Sequence, residues 1–232
     1  MLENAKLKNG VPDPVQISVP ELRFILCTTA VALAVSGLSS FFSWGWKAAA
    51  ILAYGLFILL ITYAFLKRSA FLKKIILFGV VAGFIELFAD WWLVSGTNTL
   101  VYFSEEPFIW KSPAYMPFAW AVIITQAGYI GYLIRKKFEL IPTVILTALA
   151  GAIMIPFHEY FANKALWWYY KDCKALFNTP YYIILGEAFI CSVLPIIYKW
   201  IAQKKMVPFA LTGIIYGFWI WISYFVAYHI FE

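Results

Sequence analysis

Seven long apolar runs, joined by short segments that hold most of the charge, are the feature that most limits how this chain can fold. Each run has at least ~18 predominantly apolar residues, the length that a helix needs to cross the hydrocarbon core of a bilayer. The sequence therefore predicts an all-α integral membrane protein, a bundle of seven transmembrane helices. The expected spans lie near 22–43, 47–66, 73–96, 114–134, 140–163, 178–200 and 207–230.

The overall composition supports this class. Of the 232 residues, 63% are hydrophobic and only 13% are charged, whereas soluble domains have about 25% charged residues. The net charge of +6 would suggest a nucleic-acid ligand in a soluble chain, but here the basic residues lie in short clusters between the apolar runs. We therefore expect a multi-pass protein of the cell or cytoplasmic membrane, surrounded by the lipid bilayer and without a nucleic-acid partner.

The basic clusters also predict how the chain is oriented. They follow the second, fourth and sixth spans, so all three lie on one side of the membrane if there are seven spans. The positive-inside rule then places the N-terminus in the cytoplasm and Glu232 outside, and the basic loop 164–174 is an exception to it. The expected organisation is a cytoplasmic N-terminal segment, 1–21, and one transmembrane domain, 22–232. The clusters consist of Lys67, Arg68, Lys73 and Lys74; Arg135, Lys136 and Lys137; and Lys199, Lys204 and Lys205.

The third span carries two carboxylates in an otherwise apolar setting. Glu86 and Asp90 are four residues apart, so on a helix they lie one turn apart on the same face. A carboxylate at this depth costs at least ~2.5 kcal/mol, so we expect the pair to face the bundle interior as a proton donor, metal ligand or substrate contact. A protonated or hydrogen-bonded structural pair is the alternative. Gly79 and Gly83 have the small-xxx-small spacing that lets a neighbouring helix approach closely.

Three further polar groups are expected at a similar depth. At 1.5 Å per residue, His158 and Glu159 fall in the outer half of the fifth span and Glu187 falls near the middle of the sixth. Together with the pair on the third span, they predict a pocket in the outer half of the bundle. The residues expected to bind a substrate there are Trp91, Trp120, Gln126, Trp219 and Tyr224.

The two long outer loops have different predicted roles. The first, 95–113, is long enough to fold back over the bundle. The second contains the aromatic run 167–170, which has the composition of a belt at the level of the lipid headgroups. We expect this run to be an interfacial anchor rather than part of a binding site.

Three functions fit such a pocket. A buried carboxylic acid could protonate a double bond of an isoprenoid, while a second group removes a proton or positions water and aromatic rings stabilise the carbocation. A metal-dependent lipid hydrolase would use the same residue types, but no HExxH or HxxxH pair is present, so no metal ligand is assigned. A proton-coupled transporter explains the buried acids equally well and a one-sided pocket less well.

Four stretches occur in the order seen in a known group of enzymes. They are Phe84–Glu86, Ser112–Trp120, Trp167–Tyr170 and Asn178–Glu187. This order resembles the membrane-embedded carotenoid hydratase family and, more distantly, the integral-membrane terpene and lycopene cyclases. The resemblance implies a cofactor-free, acid-initiated reaction on a polyisoprenoid, with a catalytic role for Glu86 and a second one for Glu159.

The predicted function is therefore that of an integral-membrane, non-redox enzyme of terpenoid or carotenoid metabolism. We expect a cyclase or hydratase, of the isomerase or lyase class, that needs no cofactor and acts on a hydrophobic, isoprenoid-like substrate. Glu86 is the expected proton donor, and Asp90 orients it or shares its proton. Glu187, Glu159 or His158 is expected to act as the base or to position water. The oligomeric state does not follow from the sequence.

Overall fold

The computed structural model describes residues 17–103, 105–203 and 208–232, and for 202, 203 and 208 it describes the backbone alone. Residues 1–16 of the predicted N-terminal segment, and Lys204 and Lys205 of the third basic cluster, lie outside the described residues. The described chain is mostly helical, as predicted. Its α-helices are α1 (Val19–Phe42), α2 (Trp46–Leu66), α3 (Ala70–Trp91), α4 (Met116–Lys137), α5 (Leu140–Lys164), α6 (Tyr181–Gln203) and α7 (Pro208–Phe231).

Six of these helices, all except α3, are long and apolar enough to cross a membrane. The predicted multi-pass character of the protein is therefore supported by the described part of the chain. Helix α3 differs because it carries four charged residues, Lys73, Lys74, Glu86 and Asp90. Helix α3 also has buried residues along nearly its whole length. It packs chiefly against α4 and α7. Its carboxylates are therefore enclosed by protein.

Helix α5 has the clearest lipid-facing surface. Five of its apolar side chains recur at every fourth position, which places them along one side of the helix. They are between 52% and 73% exposed: Ile141, Ile145, Leu149, Ile153 and Phe157. An apolar stripe of this length is unfavourable in water and is satisfied by the acyl chains of a bilayer.

Several chain connections meet at one end of the bundle, which we call the capped end. The backbone N–H of Gly45, between α1 and α2, donates a hydrogen bond to the carbonyl oxygen of Ala165 after α5, at 2.8 Å. The backbone N–H of Lys174 donates to the side chain of Glu232 at 2.9 Å. The capped end therefore contains 43–45, the α3–α4 and α5–α6 connections, and the C-terminal residue.

The two long connections contain short strands that the all-α prediction missed. Antiparallel pairs form between β1 (Leu100–Tyr102) and β4 (Trp168–Tyr170), between β2 (Phe108–Ile109) and β3 (Ser112–Pro113), and between β5 (Ala175–Leu176) and β6 (Thr179–Pro180). Strands of two or three residues are too short to show an alternating pattern in a sequence. The first long loop does fold back over the bundle, as expected.

Two details of the sequence-based expectations need correction. The third helical segment does not continue as an α-helix to 96, because it ends at Trp91 and is followed by a π-helical turn, Trp92–Gly96. The run 167–170 is not an exposed aromatic belt, since Trp167 and Trp168 are only 3% and 8% exposed. Pairing of β4 with β1 turns Trp168 toward the protein interior, and Trp167, just before the strand, is buried as well.

The predicted close contact at Gly79 and Gly83 is confirmed, and its partner is α4. A Cβ atom at Gly83 would overlap the carbonyl oxygen of Pro117, and one at Gly79 would lie 3.0 Å from the carbonyl oxygen of Ala121. The absence of side chains therefore lets the backbones of α3 and α4 approach each other directly. This approach places the first turns of α4 beside the acidic part of α3.

Candidate functional site

Four carboxylates from three helices lie close together near the capped end. They are Glu86 and Asp90 of α3, Glu159 of α5 and Glu187 of α6, and we call them the acidic cluster. Asp90 and Glu187 act electrostatically on Glu86, and the same two residues act on Glu159. The structure therefore brings together all four of the acids that were predicted to form the site.

Glu86 is the most enclosed member of the cluster. Its side chain is fully buried, and neither carboxyl oxygen makes a hydrogen bond to any residue that the structure describes. Its nearest polar neighbours are Asp90, one turn further along α3, and the indole of Trp120 on α4. A buried polar group without a partner is uncommon in proteins and needs an explanation, of which a catalytic role is one.

Asp90 has the opposite environment, because two hydroxyl groups donate to the same carboxylate oxygen. The Tyr102 hydroxyl donates to Oδ2 at 2.7 Å, and the Ser112 hydroxyl donates to it as well. Both donors come from the α3–α4 connection, one from β1 and one from β3. Hydrogen bonds of this kind stabilise the ionised form of a carboxylate.

Glu159 and Glu187 each have one donor. The indole N–H of Trp168 donates to Oε2 of Glu159 at 2.6 Å, and the Tyr224 hydroxyl donates to Oε1 of Glu187 at 2.6 Å. Glu159 is 6% exposed. Three of the four acids are therefore held by hydrogen-bond donors, and Glu86 is the exception.

His158 precedes Glu159 on α5, so the two side chains are about 100° apart around the helix axis. Its imidazole is half-buried, and the centre of its ring is 5.7 Å from that of Trp168. The two adjacent side chains point apart, as helix geometry requires. The structure therefore places His158 at the edge of the acidic cluster and not within it.

The β1–β4 ladder covers the acidic cluster from the capped end. Tyr102 and Trp168 are directly opposite each other in this ladder, and their ring centres are 6.2 Å apart in an edge-to-face arrangement. The next pair along the strands, Val101 and Tyr169, faces the other way, and Tyr169 is 36% exposed. The inner face of the ladder thus supplies one donor to Asp90 and one to Glu159.

Two tyrosines of the ladder, Tyr102 and Tyr170, have pKa values raised by their surroundings. Burial raises the pKa of Tyr102 well above its usual value, and the charges of Asp90 and Glu86 raise it further. Burial and the charge of Glu159 likewise raise the pKa of Tyr170. The raised pKa favours the protonated hydroxyl of Tyr102, the form that donates a hydrogen bond to Asp90.

Two of the five residues that were expected to bind a substrate lie at the cluster. Trp120 is beside Glu86, and Tyr224 is hydrogen-bonded to Glu187. Gly186 makes room for Tyr224, because a Cβ atom there would overlap the tyrosine ring. These two aromatic residues come from α4 and α7 and contact different acids of the cluster.

The other three expected substrate contacts are placed differently. Trp219 is half-buried and donates its indole N–H to a backbone carbonyl of α6 at 3.2 Å. Gln126 donates to the hydroxyl of Thr28 at 3.2 Å and so joins α4 to α1. Trp91 is 37% exposed, and its ring stacks on that of Trp110 with centres 5.2 Å apart. The structure does not bring these three side chains to the acidic cluster.

Sequence reasoning missed Tyr102, Ser112 and Trp168 as site residues. All three lie in the connections between helices, and each donates a hydrogen bond to the helix that precedes its own connection. Their aromatic and hydroxyl character was visible, but no local pattern indicated which acid each would meet. In the described part of the chain, no three His, Cys, Asp or Glu residues are grouped so that they could hold a metal ion.

Another buried acid, Glu106, lies outside the acidic cluster, in the connection between α3 and α4. Glu106 is 5% exposed, and neither carboxyl oxygen has a hydrogen bond within the described residues. Burial raises its pKa from an ordinary value of 4.5 to about 7, although the nearby Tyr115 hydroxyl partly opposes this shift. Glu106 is therefore a group whose charge changes near neutral pH.

We expect Glu106 to make the folding of this connection depend on pH. Because its pKa is higher in the folded state, its stabilising contribution is complete below pH 4.5 and is lost as the pH rises through about 7. Amide hydrogen exchange in 105–113 should therefore be slower at pH 5 than at pH 8, after correction for the intrinsic exchange rate. Glu106→Gln should remove this difference, whereas the same change at the exposed Glu105 should leave it in place. An unchanged difference in Glu106→Gln would contradict the assignment.

Comparison with known proteins gives a match to a family model. Residues 87–231 match the family model described as Domain of unknown function (DUF6989). The match covers more than half of the chain and includes Asp90, Glu159, Glu187 and both strands of the β1–β4 ladder. No curated protein and no solved structure matches the chain. The chain belongs to the DUF6989 family.

Proposed function

We propose that this protein is an integral-membrane enzyme of terpenoid or carotenoid metabolism, a cyclase or hydratase that starts its reaction by protonating an alkene. The observation that carries the proposal is the environment of Glu86, which is fully buried and has no hydrogen bond within the described residues. Ionising a carboxyl group in such a place is costly, since no hydrogen bond within the described residues compensates for the lost water. A neutral Glu86 has a proton to give.

The neighbouring groups suit the remaining steps of such a reaction. Transfer of the Glu86 proton to one alkene carbon leaves a carboxylate on the protein and a cation on the substrate. The ring faces of Trp120 and Tyr224 are suited to stabilise that cation. A second carboxylate then removes a proton from the cation, which forms a new double bond, or from a water molecule that adds to it. Neither route changes the oxidation level of the protein or needs a cofactor.

We also propose that α3 crosses the membrane as the seventh span, with the N-terminus inside and the C-terminus outside. Support comes from the capped end, where every second connection along the chain is found together with the C-terminal residue. The basic residues after α2 and in the last turn of α4 lie at the opposite ends of their helices. By the positive-inside rule the capped end is then the outer end, and the acidic cluster lies in the outer half of the bundle.

A proton-coupled transporter is the second candidate, because buried acids in membrane proteins also serve to relay protons. The two functions differ in what happens to the bound molecule. A transporter releases its substrate chemically unchanged, whereas an alkene-protonating enzyme forms a new carbon–hydrogen bond in every turnover. Isotope labelling of the product therefore separates them.

The test is conversion of defined isoprenoids by the purified protein in ordinary and in heavy water. The probes are geranylgeraniol, squalene and lycopene, each supplied in lipid vesicles that contain the protein. We expect a rearranged or hydrated product from at least one probe, with carbon-bound deuterium only in heavy water, as read by mass spectrometry. Vesicles without protein are the control. Recovery of all three probes unchanged and unlabelled would contradict the enzyme function, and pH-driven uptake of a probe would then favour transport.

A further inference from the structure

We propose that the cross-strand pair Tyr102–Trp168 positions two acids of the cluster for separate tasks, with Asp90 on the proton-donating side and Glu159 as the proton acceptor. This inference rests on the proposed function, because it divides the same reaction into two halves. Neither Tyr102 nor Trp168 need touch the substrate. Each acts through the carboxylate to which it donates.

The first argument is geometric. The two donors are directly opposite residues of one antiparallel ladder, and each reaches a different helix, α3 through Asp90 and α5 through Glu159. The two hydrogen bonds have donor–acceptor distances of 2.7 Å and 2.6 Å. The ladder therefore sets the separation of two carboxylates that lie far apart in the sequence.

The second argument concerns the protonation of each acid. Glu86 has no donor within the described residues and is suited to give up a proton, whereas Glu159 receives an indole N–H that stabilises its ionised form. An ionised carboxylate is the form that can accept a proton from the substrate cation. The proposed proton donor, Glu86, and the proposed proton acceptor, Glu159, are both buried glutamates, but only Glu159 receives a hydrogen bond within the described residues.

The third argument distinguishes Glu159 from the other two candidates for the base. Glu187 also acts electrostatically on Glu86, but its hydrogen-bond donor, Tyr224, comes from α7 and not from the β1–β4 ladder. His158 lies at the edge of the cluster and is half-buried. Glu159 is tied to Asp90 through the ladder. A cation loses its proton from one defined carbon only if the acceptor has a fixed position relative to the donor.

Two substitutions, each of which removes one hydrogen-bond donor, test the roles of Asp90 and Glu159 separately. Tyr102→Phe removes the hydroxyl that holds Asp90, and Trp168→Phe removes the N–H that holds Glu159. Each has a matched control in the adjacent sequence. Trp167→Phe makes the same change at a buried indole whose N–H has no hydrogen bond within the described residues, and Tyr169→Phe alters the outward face of the ladder.

Consumption of the converted probe and the ratio of its products are measured for each variant. Tyr102→Phe should slow consumption by about tenfold or more, the effect of losing a hydrogen bond to a charged group, with product ratios unchanged. Trp168→Phe should change consumption less but spread the products over several double-bond isomers or a water adduct. Both controls should remain within about twofold of the wild type, since neither loses a hydrogen bond.

A second measurement needs no substrate. Infrared spectra of the carboxyl groups, recorded during a pH titration, should contain one component that disappears in Glu159→Gln. That component should shift in Trp168→Phe and stay in place in Trp167→Phe. An unshifted component in Trp168→Phe would overturn the positioning contact even if the enzyme is active.

The remaining outcomes are also decisive. If Tyr102→Phe and Trp168→Phe change rate and product ratio in the same way, the ladder is only a structural support and the division of tasks is wrong. If the wild type converts a probe and neither variant differs from its control, this inference fails while the proposed function stands. If the wild type converts none of the probes, the proposed function fails and the acceptor role of Glu159 fails with it.

Discussion

Glu86→Gln is expected to lower turnover by about 10²–10⁴-fold, the usual contribution of a general acid, while the protein remains folded. Glutamine has nearly the same shape as a protonated glutamate but has no acidic proton to transfer. Folding should be little affected, because Glu86 makes no hydrogen bond within the described residues that the change would remove. The measurement is the initial rate of probe conversion, with the thermal unfolding midpoint as the check on folding.

The control for this experiment is the same substitution at an exposed glutamate. Glu139 lies just before α5, at the end of the bundle opposite the capped end, and its side chain makes no capping hydrogen bond. Glu139→Gln should leave both rate and stability unchanged. A fully active Glu86→Gln would refute the role of Glu86 as proton donor. An inactive Glu86→Gln that retains an unconverted isoprenoid through purification would support it.

Gly83→Ala is expected to destabilise the protein by about 1–3 kcal/mol, the cost of overpacking a close contact. The added Cβ would overlap the carbonyl oxygen of Pro117, and it would also lie 3.0 Å and 3.1 Å from the carbonyl carbon and Cα of that residue. These are backbone atoms, so no rotation of a side chain can relieve the clash. Helix α4 must move away from α3.

The matched control is Gly55→Ala in α2. A Cβ at Gly55 meets no atom within 4 Å, so the substitution should stabilise its helix by roughly 0.5–1 kcal/mol. The two variants therefore differ in the sign of their effect, which a comparison of thermal unfolding midpoints in the same detergent can show. Equal midpoints would mean that α3 and α4 are not in backbone contact at this position.

The contact at Gly83 also bears on the site. Pro117 and Trp120 are three residues apart on α4, as Gly83 and Glu86 are on α3, so both pairs lie on facing surfaces of their helices. Displacement of α4 would move the indole of Trp120 away from the carboxyl of Glu86. We therefore expect Gly83→Ala to lower turnover as well as stability.

Much of the fold follows from local features of the sequence. An apolar run of about twenty residues in a bilayer must satisfy its own backbone hydrogen bonds, and a helix does this without any distant partner. The predicted helices are for this reason present, with ends displaced by only a few residues. Helical periodicity also placed Glu86 and Asp90 on one face, and the spacing of Gly79 and Gly83 indicated a helix contact.

The hydrogen-bond partners of the acids could not be predicted from local features of the sequence. Asp90 is held by Tyr102 and Ser112, and Glu159 by Trp168, across turns and strands that have no regular pattern. The aromatic run 167–170 illustrates the difficulty, because its composition is that of a membrane-interface belt. Its pairing with β1 made it part of the cover over the acidic cluster instead.

The sequence by itself determined the helical, membrane-spanning class of this protein and the pairing of two acids on one helix, because both depend on length, apolarity and the 3.6-residue repeat. Only the tertiary structure decided that α4 is the partner of Gly83, that four acids converge, and that Glu86 alone among them has no donor in the described chain. These features depend on which distant segments meet. Hydrogen bonds between loops and helices are set by the packing of the whole bundle, and no local spacing encodes them.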